Sequence, residues 1–274
     1  MGIKTYRPIP MSRRYRSVAS FEEITTEKPH KNLLVPKRKR GGRNNQGRIT
    51  AKYRGGGEKQ HYRLIDFKRN KQGIPARVVS IEYDPNRSAR IALLCYKDGE
   101  YRYILACEGL YPGYEVIAGR NIGIKIGNAM PLQDIPVGVE IHNLQLYPNH
   151  HAFLVRSAGS SAQILAKEEE HAVIKLPSGE IRKFSLDCLA TIGKVSNPDH
   201  KDISIGKAGR MRHRGIRPRT RAVAMNPIDH PMGGGEGKSS GGRHPCSEKG
   251  IVAKGKKTRK QNKFSDKLIV QRRK

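Results

Sequence analysis

Ile91-Ala-Leu-Leu-Cys-Tyr96, Lys97-Asp-Gly-Glu100 and Tyr101-Arg-Tyr-Ile-Leu-Ala106 follow one another without a gap. Two apolar runs of strand length flank an Asp-Gly pair, and glycine accepts the positive φ of a tight hairpin turn. The spacing predicts a β-hairpin. Arg77-Val-Val-Ser-Ile-Glu-Tyr83, just before it, is rich in β-branched residues and alternates in part, which predicts a third strand. Further strands are predicted at Ile122–Ile126, Glu140–Leu146, Phe153–Ala158, Ala162–Ala166, Ala172–Leu176, Glu180–Phe184 and Thr191–Val195, with Pro177-Ser-Gly179 as a second hairpin turn. Short strands at intervals of about 8–12 residues mean small barrels or sandwiches. Pro131, Pro136 and glycines 119, 123 and 127 place a seam near 120–135. The prediction is two small β-barrels, each with little core to spare. The absence of Trp and an aromatic content of 6% deny them a large aromatic core. Helical signals are sparse: Asp187–Ala190 begins a short turn, and Gln261–Lys267 is very polar.

Charge surrounds this neutral middle. The 274 residues include 54 Lys and Arg against 24 Asp and Glu, for a net charge of +30. Residues 1–100 carry +15, residues 101–200 carry −1 and residues 201–274 carry +16. Such a balance disfavours an ordinary enzyme surface and points to a polyanion, most often nucleic acid. Arms this cationic repel themselves and are expected to stay extended until a polyanion neutralises them. The C-terminal arm could reach about 240 Å if fully stretched. No window approaches the roughly 18 apolar residues of a membrane span, so no membrane partner is expected. The N-terminus lacks a signal-peptide core, which argues against secretion. Cys95, Cys107, Cys188 and Cys246 are scattered without a Cys-x-x-Cys pair, so reduced thiols are expected and no zinc site.

The arms carry the chemistry. Lys37-Arg-Lys-Arg40 leads into Gly41-Gly-Arg-Asn-Asn-Gln-Gly-Arg48, Arg54-Gly-Gly-Gly57 and Asp66-Phe-Lys-Arg-Asn-Lys71. Arg forks two hydrogen bonds to a phosphate, Lys adds a point charge, and interleaved Gly lets backbone N–H groups approach. Asn44 and Asn45 could read base edges or a ribose hydroxyl. A nuclear-import signal competes for Lys37–Arg40 alone, but the Arg/Gly/Asn pattern runs far beyond it. The last arm holds Lys207-Ala-Gly-Arg-Met-Arg-His-Arg-Gly215, Arg217, Arg219 and Arg221. Asn226-Pro-Ile-Asp-His-Pro-Met-Gly-Gly-Gly-Glu-Gly-Lys238 and a Lys254–Lys260 cluster follow. Two enzyme readings compete there. Gly237-Lys-Ser239 ends like a phosphate-binding loop, but Met232 occupies the position of its first Gly and no apolar strand precedes it. Asp229, His230, Glu236 and Ser239 lie close, although a catalytic triad is a matter of fold rather than of sequence proximity. A histidine that stacks on or hydrogen-bonds RNA is the favoured reading of His230.

Gly41–Thr50, Asp66–Lys71, Glu82-Tyr-Asp-Pro-Asn-Arg-Ser-Ala89, Arg102–Ala106 and Asn226–Gly237 together resemble the large ribosomal subunit protein two family, in its bacterial or organellar form. The resemblance runs from about residue 3 to the end. It departs from the family pattern at Met232, often His; at His213, commonly Trp; at Ala222, usually Gly; and at Cys107, usually Pro. It implies a mainly β chain, with an oligonucleotide-binding-fold-like barrel at 61–125 and an SH3-like barrel at 126–200. Long irregular basic extensions occupy 1–60 and 201–274. It also implies a structural constituent of the large subunit and not an enzyme. Its partners would be 23S-type rRNA, other large-subunit proteins, the small subunit at the intersubunit face, and tRNA near the peptidyl transferase centre. The expected location is the ribosome of a bacterial cytoplasm, with an organelle as the alternative. No cofactor is implied beyond Mg2+ ions that could bridge to rRNA, and no metal site or catalytic residue is assigned. His230 corresponds to a family histidine once linked to peptide-bond formation, and is expected to position RNA instead. The alternative function is a free-standing RNA chaperone or nucleic-acid-compacting protein. The rRNA-binding residues expected are Arg43, Arg48, Arg54, Arg63, Lys68, Arg69, Lys71 and Arg87. In the last arm they are Lys207, Arg210, Arg212, Arg214, Arg217, Arg219, Arg221, His230, Lys238 and Arg243. Tyr62, Phe67 and Tyr83 could add stacking.

Overall fold

The computed structural model describes residues 2–273. Its backbone divides into two compact units. The first holds the residues up to Arg38, Lys59–Lys207 and those from Ser265 on; the second holds Lys39–Glu58 and Ala208–Phe264.

In the first unit, β1 (Ile3–Thr5) pairs with β2 (Ser17–Ala19), and β3 (Leu34–Pro36) with β4 (His61–Arg63). The first barrel is built on β5 (Ala76–Glu82), β6 (Ile91–Tyr96), β7 (Tyr101–Leu105) and β8 (Glu115–Val116), in the antiparallel order β7-β6-β5-β8. The Asp98-Gly99 turn forms as predicted, with Gly99 at φ 83° and Ile91 opposite Leu105. Early in β5, Ala76 and Val78 point inward while Arg77 and Val79 face out. A register shift between Val78 and Ser80 then breaks the alternation, and Ser80, Ile81 and Glu82 are all buried. Tyr103 is fully buried at the centre of β7. Its hydroxyl donates to Glu82 Oε2 at 2.7 Å and accepts the His30 amide at 2.8 Å, so a large aromatic sits inside with its polar end satisfied.

The second barrel comprises β9 (Ala129–Pro131), β10 (Glu140–His142), β11 (Leu144–Gln145), β12 (Ala152–Leu154), β13 (Ala162–Lys167), β14 (His171–Lys175), β15 (Ile181–Ser185) and β16 (Leu189–Ile192). Most of these join a seven-stranded sheet in the order β17-β15-β14-β13-β10-β16-β9, whose last member, β17 (Ile269–Gln271), comes from the C-terminus. Met130, Leu132, Ile135, Ile141, Leu144, Ile164, Ile174 and Phe184 fill its core. The chain is thus mainly β, an oligonucleotide-binding-fold-like barrel followed by an SH3-like one.

Four predicted strands differ. The one predicted over 191–195 lies at Leu189–Ile192 instead and stops where Gly193 takes φ 100°. Residues 122–125 are irregular and lead into a turn at Ile126-Gly127, with the Lys125 amide and Asn128 Nδ2 both donating to the Gly123 carbonyl. The run 140–146 is split at Asn143 (φ 49°), and the strand predicted over 153–158 ends at Leu154 because Val155 takes φ 54°. A buried polar cluster joins the barrels. Arg69 Nη2 donates to the Gly127 carbonyl at 3.3 Å. His142 Nδ1 lies 2.8 Å from the Gly193 carbonyl oxygen, so it carries the proton, and Nε2 accepts from the Cys107 thiol at 3.5 Å. Burial pushes the His142 imidazole down to about 4 and the Cys107 thiol up to about 12. Both groups are therefore neutral at pH 7.

The second unit has one short helix, α1 (Ala208–His213), and otherwise turns and isolated bridges. Here the expectation of freely extended arms is corrected. Residues 53–58 run beside 213–217: Gly55 N–H donates to the Gly215 carbonyl at 3.0 Å, Arg217 to Tyr53 at 2.9 Å and Glu58 to His213 at 2.9 Å. Glycine makes this approach possible. A Cβ on Gly57, itself at φ +76°, would come within 2.6 Å of the Gly215 nitrogen.

Candidate nucleic-acid interface

The second unit carries 21 Lys and Arg against four Asp and Glu in 77 residues. Four carboxylates cannot neutralise 21 cations. Lys52 pairs with Glu248, which holds the Glu248 carboxyl below its ordinary range. Arg43, Arg48, Arg54, Arg212, Arg214, Arg217, Arg219, Arg221, Lys238 and Arg243 are all exposed. Arg219 lies 5.9 Å over the Tyr53 ring. Arg210 is half-buried and engaged within the protein.

Local turns hold these side chains out. Arg43 bridges Ile49 while the Thr50 and Ala51 amides both donate to the Gly42 carbonyl at 3.0 Å. Asn44 Oδ1 accepts the Gln46 and Arg48 amides, each at 3.0 Å. That oxygen is consumed by its own loop and is not available to read a base, whereas Asn45 is exposed. The segment from Pro245 to Ala253 closes as a hairpin through the Ala253 amide to the Pro245 carbonyl at 2.8 Å. Exposed Lys254, Lys256, Lys257, Lys260 and Lys263 follow it and belong to the same cationic unit. They are absent from the residues expected to bind rRNA, although the lysine density of 254–260 is plain in the sequence.

His230 is buried, and its Nδ1 accepts the Met232 amide at 3.1 Å. The Gly233 amide donates to the His230 carbonyl at 2.8 Å, and Gly234 to Met225 at 2.9 Å. The histidine knots its own turn. Met232 Sδ accepts the Cys246 amide at 3.5 Å. The phosphate-loop reading fails on geometry: Ser239 Oγ donates to the Gly234 carbonyl at 3.0 Å, and among the described residues no helix begins there.

In the first unit Lys68 and Lys207 are exposed, but four expected contacts are engaged inside the protein. Arg63 is buried, 3.7 Å from the fully buried Asp84. Arg87 Nε donates to the same Asp84 at 2.5 Å and its guanidinium lies over Tyr62 and Phe67. Arg69 is 4% exposed. Lys71 pairs with Asp98 and Glu100 and sits 4.7 Å over the Tyr96 ring. The hydrogen bond from Lys71 holds the Asp98 carboxyl below its ordinary value. Phe67 is covered by Arg156 at 4.6 Å; Tyr62 and Tyr83 keep exposed surface. Among the described residues no three His, Cys, Asp or Glu side chains are grouped to hold a metal, and no helix is long and apolar enough to cross a membrane.

Two small β-barrels joined to a glycine-rich cationic unit define an RNA-binding structural protein of a ribonucleoprotein particle. Residues 30–118 match the model of the RNA-binding N-terminal domain of ribosomal proteins L2, and residues 125–250 match that of their C-terminal domain. The chain belongs to the ribosomal protein L2 family. It is a structural constituent of the large ribosomal subunit, serving translation, and the family is not one of enzymes.

Proposed function

We propose that the chain binds 23S-type rRNA through the exposed cations of its glycine-rich unit, with the barrels docking on folded RNA. The observation that carries this reading is the 21-to-4 excess of cationic side chains in a unit whose backbone is held by turns. Neutralised phosphates let RNA segments approach one another, and released counterions supply much of the affinity. Contacts fall mostly on phosphate and sugar, so RNA shape sets the specificity. In this reading residues 1–60 and 201–274 act as rRNA-binding extensions of the barrels at 61–125 and 126–200. Lys68, Lys207 and the exposed arginines touch RNA, while Arg63, Arg69, Lys71 and Arg87 hold the first barrel's shape. His230 serves by shaping the 226–234 turn. The family resemblance supports a role in subunit assembly and association, and a place near tRNA and the peptidyl transferase centre. Footprinting on naked large-subunit rRNA tests the reading. One discrete protected region is expected, and uniform protection would instead indicate a free-standing chaperone.

A further inference from the structure

β17 closes the outer edge of β15, and it is lightly held. Ile181 faces Gln271 and Arg182 faces Ile269, with a register shift between the two pairs. The Lys183 amide donates to the Leu268 carbonyl at 2.8 Å. Leu268 and Ile269 are half-buried, Val270 is 56% exposed, and none of the three joins the side chains packed on the second barrel's core. Backbone hydrogen bonds therefore hold the strand, and each is worth little net against water. The chain leaves the first unit after Lys207 and returns to it at Ser265, so the pairing also closes a long loop at an entropic cost. Charge opposes it further. Residues 267–273 contribute Lys267, Arg272 and Arg273 and no carboxylate, and they come beside Arg182 and Lys183 of β15. Lys183 pairs with Glu168 at 2.6 Å, and Arg272 lies 3.9 Å from Asp266. Among the described residues no carboxylate pairs with Arg182, Lys267 or Arg273.

We propose that β17 is a strap whose closure on β15 is driven by polyanion binding. The inference rests on the rRNA-binding reading for the identity of the polyanion. An open strap scatters Lys267, Arg272 and Arg273. A closed strap gathers them beside Arg182 and Lys183 on one sheet edge. A denser line of cations holds phosphates more tightly, so a phosphate backbone binds the closed form better and shifts the equilibrium towards it. The coupling is reciprocal, and a strap that cannot close weakens polyanion binding by the same factor. Closure also covers β15, whose free backbone groups would otherwise offer a pairing template to another chain. The sheet edge is thus sealed as the protein takes its place among phosphates.

Amide exchange at Lys183 in the full-length protein reads the strap. The Leu132 amide, bonded to the Cys188 carbonyl at 3.0 Å in the same barrel, is the reference. Large-subunit rRNA and inorganic polyphosphate are each expected to slow Lys183 at least tenfold relative to Leu132. In the protein alone, raising salt from about 0.01 M to 1 M shortens the screening length from roughly 30 Å to 3 Å. That relieves the repulsion and is expected to slow Lys183 at least threefold. Ile269→Pro removes a backbone donor from β17 and is expected to leave Lys183 fast in every condition, with Leu132 as in the wild type. Lys267→Gln combined with Arg273→Gln alters exposed side chains outside the strand, and is expected to slow Lys183 in the free protein at low salt. Equal protection of Lys183 at low salt with and without polyanion would overturn the proposal. So would faster exchange at high salt, wild-type protection in Ile269→Pro, or an unchanged rate in the double Gln variant. If polyphosphate slows Lys183 but rRNA neither binds nor slows it, the proposed function fails and the strap stands.

Discussion

Arg63 and Arg214 are the same side chain in opposite circumstances. Arg63 ends β4, in the β3–β4 pair, and is buried beside Asp84; Arg214 follows α1, exposed in a unit where cations outnumber carboxylates by 21 to 4. A guanidinium is free to meet phosphate only where the fold has not already supplied its anion or ring. The barrels supply both, as Lys71 and Arg87 show, and the glycine-rich unit supplies few. The proposed function therefore divides the labour between the two regions: barrel cations build the scaffold, and extension cations are expected to meet RNA.

The sharpest way to break this division is to neutralise both sets. Replacing Arg212, Arg214, Arg217 and Arg219 together by Gln is expected to make the log–log salt dependence of rRNA affinity shallower by about 3. Filter binding across a salt series reads this, and an unchanged slope would count against the division. Asp84→Ala acts on the other side. It strands the Arg63 and Arg87 cations and the Asn86 contacts, and is expected to cost about 3–5 kcal/mol of stability in urea unfolding.

Acid sharpens the same contrast, because His142 belongs to the scaffold. Its imidazole is pushed from 6.5 down to about 4 by burial, so the unfolded chain binds the proton first. Its contribution is complete above about pH 6.5 and is lost as pH falls towards 4, amounting to about 3 kcal/mol. Urea unfolding at pH 7 and pH 4.5 should show that loss in the wild type and a smaller one in His142→Gln. The smallest effect is expected at Gly57→Ala. Its methyl would collide with the Gly215 backbone, weakening the pairing of 53–58 with 213–217 by about 1–3 kcal/mol. Faster amide exchange at Gly55, Glu58 and Arg217 would report it.

The barrels were largely legible because their strands alternate and their turns are marked. The hairpin Ile91–Leu105 stands where Asp98-Gly99 put it. Residues 122–126 read as a strand from their apolar content, which cannot reveal that Asn128 turns back to Gly123. The pairing of 53–58 with 213–217 was invisible, since two glycine-rich backbones meeting far apart in sequence leave no periodicity. Residue type identified the cations of the candidate site but not their engagement. Nothing around Arg69 announces that the Gly127 carbonyl, 58 residues on, will take its guanidinium. Lys37–Arg40 and Lys254–Lys260 show the reverse: their charge density is plain in the sequence and their cations stay exposed, yet they are absent from the expected contacts.

Lysine acetylation of the protein, free and bound to large-subunit rRNA, measures the division of labour most directly. Lys207, Lys238 and Lys254 are expected to react readily when free and to be protected in the complex. Lys71, held by Asp98 and Glu100, is expected to react slowly in both. RNA-dependent protection of Lys71, with Lys207, Lys238 and Lys254 equally reactive in both states, would contradict the account.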